Sequence, residues 1–231
     1  MITFKHASWE HVFELTPHKL SILAAEESGT LWKYCVELLA QAEGEAGNFG
    51  VWKDYKEQSF EKLCSVETNL AGLTLNTKKL QTALVKKCAE RAGSIEWEET
   101  LRKTSLALYR FCKDVCQDVG YSTELDENID VAGLFKLHSL SFKEEFPTLL
   151  EKLVEYVNIS VEFTKTKIFI FLFLTKFLTQ QELNAFFSHC KYQGVSLLLL
   201  EKTMPPSESF REIACQGLII DKDNCEIPLN F

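Results

Sequence analysis

Residues 167–174 read Lys-Ile-Phe-Ile-Phe-Leu-Phe-Leu, and residues 195–200 read Val-Ser-Leu-Leu-Leu-Leu. Between them lie Phe177-Leu178-Thr179-Gln180 and a stretch with helical character from about Gln180 to His189, which Gly194 ends. An almost unbroken apolar run of strand length demands burial on both faces, as in the centre of a parallel sheet. Strand, helix and strand of these lengths predict a right-handed βαβ unit. Gly217-Leu218-Ile219-Ile220 is a third apolar run of the same kind. Upstream, an amphipathic helix begins near Pro147 with Phe146, Leu149, Leu150, Leu153, Val154, Val157 and Val161 on its stripe.

The first part of the chain also mixes strands with helix. His11–Leu15 and Leu20–Leu23 flank a turn at Thr16-Pro17-His18. From about Glu27, Leu31, Trp32, Cys35, Val36 and Leu39 recur at helical intervals, and the Gly44–Gly50 stretch stops that helix. Phe49–Trp52 and Leu63–Val66 read as strands. Two long helices follow. Asn76-Thr77 caps the first, which runs to about Arg91 with Leu80, Leu84 and Cys88 on one face. Ser94 opens the second, with Leu101, Leu108, Cys112, Val115 and Val119 on its stripe; Trp97 stands where a capping box needs an acid or amide. A short helix spans Val131–Leu137. The fold class is therefore α/β, with one mostly parallel sheet built from residues 1–72 and 139–231 and a helical arm, residues 73–138, inserted between them.

Composition sets limits. The chain has 231 residues, 46% hydrophobic and 25% charged, and Lys+Arg 25 against Asp+Glu 33 give a net charge of −8. Such a chain can bury roughly 70–75% of its unfolded surface without staples. Disorder, collagen-like repeats and coiled coils are excluded. The charge argues against a uniformly basic nucleic-acid coat but leaves room for a local basic surface. The eight cysteines form no C-x-x-C pair and read as small buried hydrophobes in a reducing compartment. No apolar window is long enough to span a bilayer, and Met-Ile-Thr-Phe-Lys-His lacks a secretory pattern, so the expectation is a cytoplasmic protein with no membrane partner.

Familiar catalytic signatures are missing. A nucleotide-binding phosphate loop needs glycine amides and a lysine, G-x-x-x-x-G-K-[ST]. The corresponding turn, Ala24-Ala25-Glu26-Glu27-Ser28-Gly29-Thr30, has one glycine, no lysine and two carboxylates that would repel phosphate. G-x-S-x-G, G-x-G-x-x-G and H-E-x-x-H do not occur. Glu201, after the apolar run, occupies the place of a magnesium-organising acid but reads as a solvated strand end. His189 and Cys190 read as packing groups at a helix end.

Two electrostatic features remain. Lys78, Lys79, Lys86, Lys87 and Arg91 face only Glu90 on one helix. At about 100° per residue, Lys79 and Lys86 lie within about 20° of each other, flanked by Lys78 and Lys87. Such a face could neutralise several phosphates, although an isolated lysine cluster is more often a solvated surface. Lys53, Lys56 and Lys62 form a second set, diluted by Asp54, Glu57 and Glu61. The other feature is Glu124-Leu125-Asp126-Glu127-Asn128-Ile129-Asp130, rich in the hard oxygen ligands calcium prefers but lacking the EF-hand spacing. On the residues alone, an acidic helix start capped by Asp126 or Asn128 is the simpler reading.

The order of these parts resembles a known family. The opening strand pair, the Leu31–Leu39 helix, the basic helix Leu73–Arg91, the acidic Glu124-Leu125-Asp126 and the Ile168–Glu201 ending are similar to the spacer-adaptation protein of type II-A CRISPR systems. The resemblance spans nearly the whole chain and is sharpest from Lys165 to Glu201; none of its motifs is catalytic. It implies a head like a degenerate P-loop ATPase without nucleotide chemistry, a helical leg, and a homotetrameric ring that encircles double-stranded DNA, ends preferred, without sequence specificity. It also implies partnership with the CRISPR integrase proteins and the RNA-guided effector nuclease. Calcium is implied at Glu124, Asp126, Glu127 and Asp130, the last two less directly because the loop is a residue shorter. DNA contact is carried over to Lys78, Lys79, Lys86 and Lys87, with Lys53 and Lys56 behind them. A degenerate nucleotide-binding enzyme and a protein-interaction scaffold are the competing readings.

Overall fold

Burial is continuous along the central strands of one sheet of this protein and alternates along Phe13–Leu15 and Phe49–Lys53 of a second. The computed structural model describes residues 1–126, 128–206 and 213–230. Along the chain, β1 (Ile2–His6), β2 (Phe13–Leu15) and β3 (Leu20–Ala25) lead into helix α1 (Ser28–Ala42). Then come β4 (Phe49–Lys53), β5 (Lys56–Glu57), the single turn α2 (Phe60–Leu63) and β6 (Cys64–Glu67). Three helices follow, α3 (Lys78–Ala92), α4 (Ile95–Asp118) and α5 (Val131–Leu137). The chain continues through α6 (Leu149–Thr164), β7 (Ile168–Leu172), α7 (Gln180–Tyr192), β8 (Ser196–Glu201), β9 (Cys215–Ile220) and β10 (Glu226–Asn230).

Six strands form one sheet in the order β10-β9-β3-β8-β7-β6, parallel except for β10 at the edge. Every residue of β3, β7 and β8 is buried. Ile168, Ile170 and Leu172 join a core that also contains Phe4, Leu38 and Phe49. Their neighbours Phe169 and Phe171 point the other way. Phe169 meets Tyr156 of α6 at 6.1 Å between ring centroids, and Phe171 meets Phe186 of α7 at 5.5 Å, both edge-on. The continuous apolar run is thus explained by cover on both faces. Thr179 caps α7 through a reciprocal capping box with Glu182.

The expectation of one sheet is corrected here, because β2-β1-β4-β5 forms a separate antiparallel sheet. Its strands alternate: in β2, Phe13 and Leu15 are buried and Glu14 is exposed, the signature of a sheet with one core face. The Thr16–Lys19 turn therefore carries the chain from one sheet to the other. The stripe expected for α1 is also corrected. Leu31, Tyr34, Leu38 and Gln41 are its buried residues, whereas Trp32 is 70% exposed and Val36 and Leu39 are exposed. A helix apolar on two sides gives no phase from spacing alone.

Cysteines follow the expected use only in part: Cys64, Cys190 and Cys215 are buried, but Cys112 and Cys225 are exposed. Among the described residues no helix is long and apolar enough to cross a membrane.

The chain divides into two compact units, Met1–Leu75 with Glu144–Phe231, and Asn76–Lys143. In the first, Glu144 accepts hydrogen bonds from the Thr74 hydroxyl (2.5 Å) and the Leu75 amide (3.0 Å) and pairs with Lys152 (3.2 Å). In the second, Asn76 and Phe142 exchange two bonds: the Asn76 amide donates to the Phe142 carbonyl (3.0 Å), and the Phe142 N–H donates to Asn76 Oδ1 (2.8 Å). The second unit therefore extends five residues beyond the end of the helical arm expected from sequence.

Within the small sheet's core, His6 lies among Trp9, Tyr34 and Phe49. The Ser8 N–H donates to His6 Nδ1 at 3.1 Å, which leaves Nε2 to carry the proton and donate to Glu37 at 3.1 Å. Burial lowers the His6 pKa against the opposing pull of Glu37, and Lys33 adds to the lowering. Burial also lowers His11 and His189. A histidine whose folded pKa lies below its unfolded value costs stability as pH falls, because the unfolded chain gains the proton first. The melting temperature is therefore expected to drop as pH falls from 7.5 to 5.5, through the unfolded histidine value of about 6.5. His6→Gln should give a lower melting temperature at pH 7.5 and a shallower drop. A drop as steep as the parent's would exclude His6 as a source.

Candidate nucleic-acid interface

The turn between β3 and α1 is where a phosphate loop would sit. Instead Glu27 is the N-cap of α1, and its Oε2 accepts the Thr30 N–H at 2.5 Å. Hydrogen bonds from the Gly29 and Thr30 amides hold the Glu27 carboxyl below its usual range. A Cβ on Gly29 would come 2.9 Å from that carboxylate oxygen, so the glycine permits the close approach. Helix N-termini bind anions because their amides are unpaired and their dipole is positive. Here the chain's own carboxylate fills that place, and Lys202 Nζ lies 3.3 Å from the Ser28 hydroxyl.

Glu201 corrects its sequence reading as a solvated strand end. It is 1% exposed at the end of β8, and its Oε1 accepts the Thr175 N–H at 3.0 Å. Burial raises its pKa, opposed by the bonds from Thr175. Its carboxyl anchors the turn after β7.

Helix α3 carries the basic face. Thr77 caps it by accepting from the Leu80 N–H at 3.3 Å, while Leu80 and Val85 are buried. Those two residues fix its rotation, and Lys78, Lys79, Lys86 and Lys87 are all exposed. Lys86 makes an exposed, loose pair with Glu90 at 3.9 Å, which contributes little. Arg91 pairs with Glu96 at the start of α4 and is thereby charge-matched.

Lys53 and Lys56 lie directly opposite each other at the end of the β4–β5 hairpin, in the other compact unit. The two turn residues between them, Asp54 and Tyr55, both have left-handed backbone, with φ of 51° and 64°. Such a turn matches strand twist but is tolerated best by Asn, Asp and Gly. Two lysines facing across a strand pair repel, and Asp54 in the turn between them and the adjacent Glu57 dilute their charge.

In the acidic segment two of the carboxylates bond backbone amides. Asp126 Oδ1 accepts from the backbone N–H (2.9 Å) and side-chain amide (3.0 Å) of Asn128. Asp130 caps α5 by accepting the Gly133 N–H at 2.9 Å. Glu124 is exposed, and Glu127 lies outside the described residues. Among the described residues no three His, Cys, Asp or Glu side chains gather as a metal site. The described carboxylates of Asp126 and Asp130 serve as turn and cap.

Sequence reasoning missed two polar devices. Glu27 was visible only as an unfavourable charge, although an acid three residues before a helical amide is a capping signal. Lys136, flanked by Phe135 and Leu137, stands alone in an apolar helix and belongs to no cluster along the chain.

A parallel sheet covered on both faces, a helix N-terminus closed by its own carboxylate and an inserted helical unit define a mixed α/β protein built without the nucleotide loop. The chain belongs to the family described as CRISPR-associated protein (Cas_Csn2), whose model matches residues 41–224. Stu0660 of Streptococcus thermophilus has a similar fold, with a TM-score of 0.61 at 11% identity over 95% of this chain and 74% of that one. The ADP conformation of MJ1267, an ATP-binding cassette of an ABC transporter, aligns with a TM-score of 0.46 at 10% identity, over 95% of this chain and 86% of that one. No curated protein matches in sequence.

The closed N-terminus makes a direct prediction. Millimolar ATP with magnesium should leave the melting temperature unchanged, and Glu27→Ala should lower it without creating nucleotide binding. Saturable stabilisation of the parent by ATP would refute the blockade.

Proposed function

We propose that the protein is a non-catalytic, double-stranded-DNA-binding ring of four identical subunits that assists CRISPR spacer acquisition, alongside the integrase proteins and the RNA-guided effector nuclease. The observation that carries this reading is the exposed face of Lys78, Lys79, Lys86 and Lys87 on a chain of net charge −8. An acidic subunit can hold DNA when closed symmetry turns one basic face per copy toward a shared opening. Lys53 and Lys56 add a second cationic tip. Lysine contacts to phosphate carry no sequence information, so binding is non-specific and falls steeply with salt. The carboxylate-filled N-terminus of α1 supports an absence of nucleotide turnover.

Assembly is supported by α4, which has no buried residue although Trp97, Leu108, Phe111, Val115 and Val119 are exposed along it. Apolar surface of this extent on one helix is characteristic of interfaces.

Linear duplex should be retained in a shift assay far better than closed circular duplex of the same length, because a ring threads only onto an end. The quadruple variant K78A/K79A/K86A/K87A should keep the solution mass of four chains and lose most duplex affinity at low salt. Equal retention of circles, or unchanged affinity in that variant, would sink the reading.

Calcium has the family resemblance as its support, and the proposal gives it no part in DNA contact. If the assembly binds the ion, chelation should lower the melting temperature or the solution mass. An unaltered melting curve and mass in chelator would remove calcium from the proposal.

A further inference from the structure

We infer that a notch between α3 and α5 is a seat for one phosphodiester group of the DNA backbone, with Lys136 and Ser139 as binding residues beside Lys78. This rests on the reading of α3 as a DNA face and deepens it. The notch is a cavity of about 350 Å³ lined by Lys78, Gln81, Thr82, Lys136 and Ser139 over an apolar floor of Val85 and Leu140. No carboxylate lines it, in a chain with more acids than bases. Two ammonium groups, an amide and the Ser139 hydroxyl match the acceptor oxygens of a phosphodiester, and an apolar floor strengthens each charge-assisted bond by lowering the local dielectric.

The end of α5 is built for this use. Helix C-termini carry unpaired carbonyls and partial negative charge, which would repel phosphate. Here the Ser139 N–H bonds the Lys136 carbonyl at 3.0 Å and the Leu140 N–H bonds the Phe135 carbonyl at 3.1 Å, closing the end in a Schellman motif. The left-handed position of that motif, usually glycine, is Ser139 with φ of 52°. A serine there accepts backbone strain that glycine would avoid, and it supplies a hydroxyl to the notch. Thr82 donates its hydroxyl hydrogen to the Lys78 carbonyl at 2.7 Å, which ties the first turn of α3 to the same wall. Lys136 is exposed and its removal leaves no buried group unpaired.

The test measures affinity of the assembled protein for a linear duplex across a salt series. Lys136→Ala should weaken binding several-fold at about 0.1 M salt and reduce the slope of log K against log salt by about 0.9 for each subunit whose notch engages a phosphate. Lys136→Arg should restore both. Because Lys78 and Lys136 hold the same group, the double variant K78A/K136A should lose less than the product of the two single losses. Ser139→Gly should bind more weakly while melting at or above the parent temperature. Unchanged affinity and slope in K136A and S139G, with binding lost in the quadruple α3 variant, would overturn the notch and leave the DNA face standing. Binding retained in the quadruple variant would fail the underlying reading instead. If pyrophosphate stabilised the parent but not K136A, with duplex affinity equal in both, the notch would belong to free phosphate and the backbone assignment would fall.

Discussion

Three parallel strands buried on both faces, β3, β7 and β8, constrain nearly everything else in the first compact unit. A strand such as β7 offers alternate residues to opposite layers, so Ile168 and Ile170 need cover on one side and Phe169 and Phe171 on the other. Helices α6 and α7 supply the second cover through Tyr156 and Phe186. The first cover comes from α1 together with the small antiparallel sheet, whose Phe4, Phe13 and Phe49 share one core with β7 and β8. The aromatic cluster around His6 follows from that junction, since the small sheet must bring large rings to a surface already made of branched aliphatics.

Carboxylates explain how an acidic chain can present a basic face. Several of the acids are hydrogen-bond acceptors for backbone amides rather than members of a negative coat. Glu27 closes the start of α1, Glu144 accepts from Leu75, and the Glu226 carboxylate accepts from the amides of Glu10 and His11 at 2.7 and 2.8 Å. Glu37 accepts from Asn48 and from neutral His6. The carboxyl of Glu67 is bonded by the Tyr156 and Ser65 hydroxyls, and burial raises its pKa despite them. These acids all lie in the first compact unit and the α3 lysines in the second, a segregation that net charge alone hides.

Legibility in the sequence followed the physics of periodicity. The unbroken runs of β7, β8 and β9 and the cap at Thr77 were readable because each depends on residues adjacent in the chain, whereas Ser94 stands at the N-cap of α4 without a side-chain capping bond. The separate small sheet was not, since β2 and β5 have only three and two residues, and β10 of the large sheet was hidden by Pro228, which only an edge strand tolerates. The phase of α1 escaped because Trp32, Val36 and Leu39 repeat as regularly as the buried Leu31, Tyr34 and Leu38. At the candidate site, the lysines of α3 were legible as one helical face. The notch was not, because Lys78 and Lys136 meet only through the packing of α3 on α5.

The inserted unit cannot account for its own stability. Among its described residues, Leu80 and Val85 are the only buried ones, although Asn76–Lys143 contains the long helix α4. A unit of this size requires a far larger apolar core or an external staple, and all its cysteines are free. Trp97, Leu108, Phe111 and Val115 are therefore surface whose burial would stabilise the helix that carries them. In the proposed ring a second copy of the chain would meet that need and would also gather the α3 lysines that one acidic subunit presents singly. Folding of the helical unit and creation of a cationic passage would then be a single event, which gives a physical reason for DNA binding to depend on assembly.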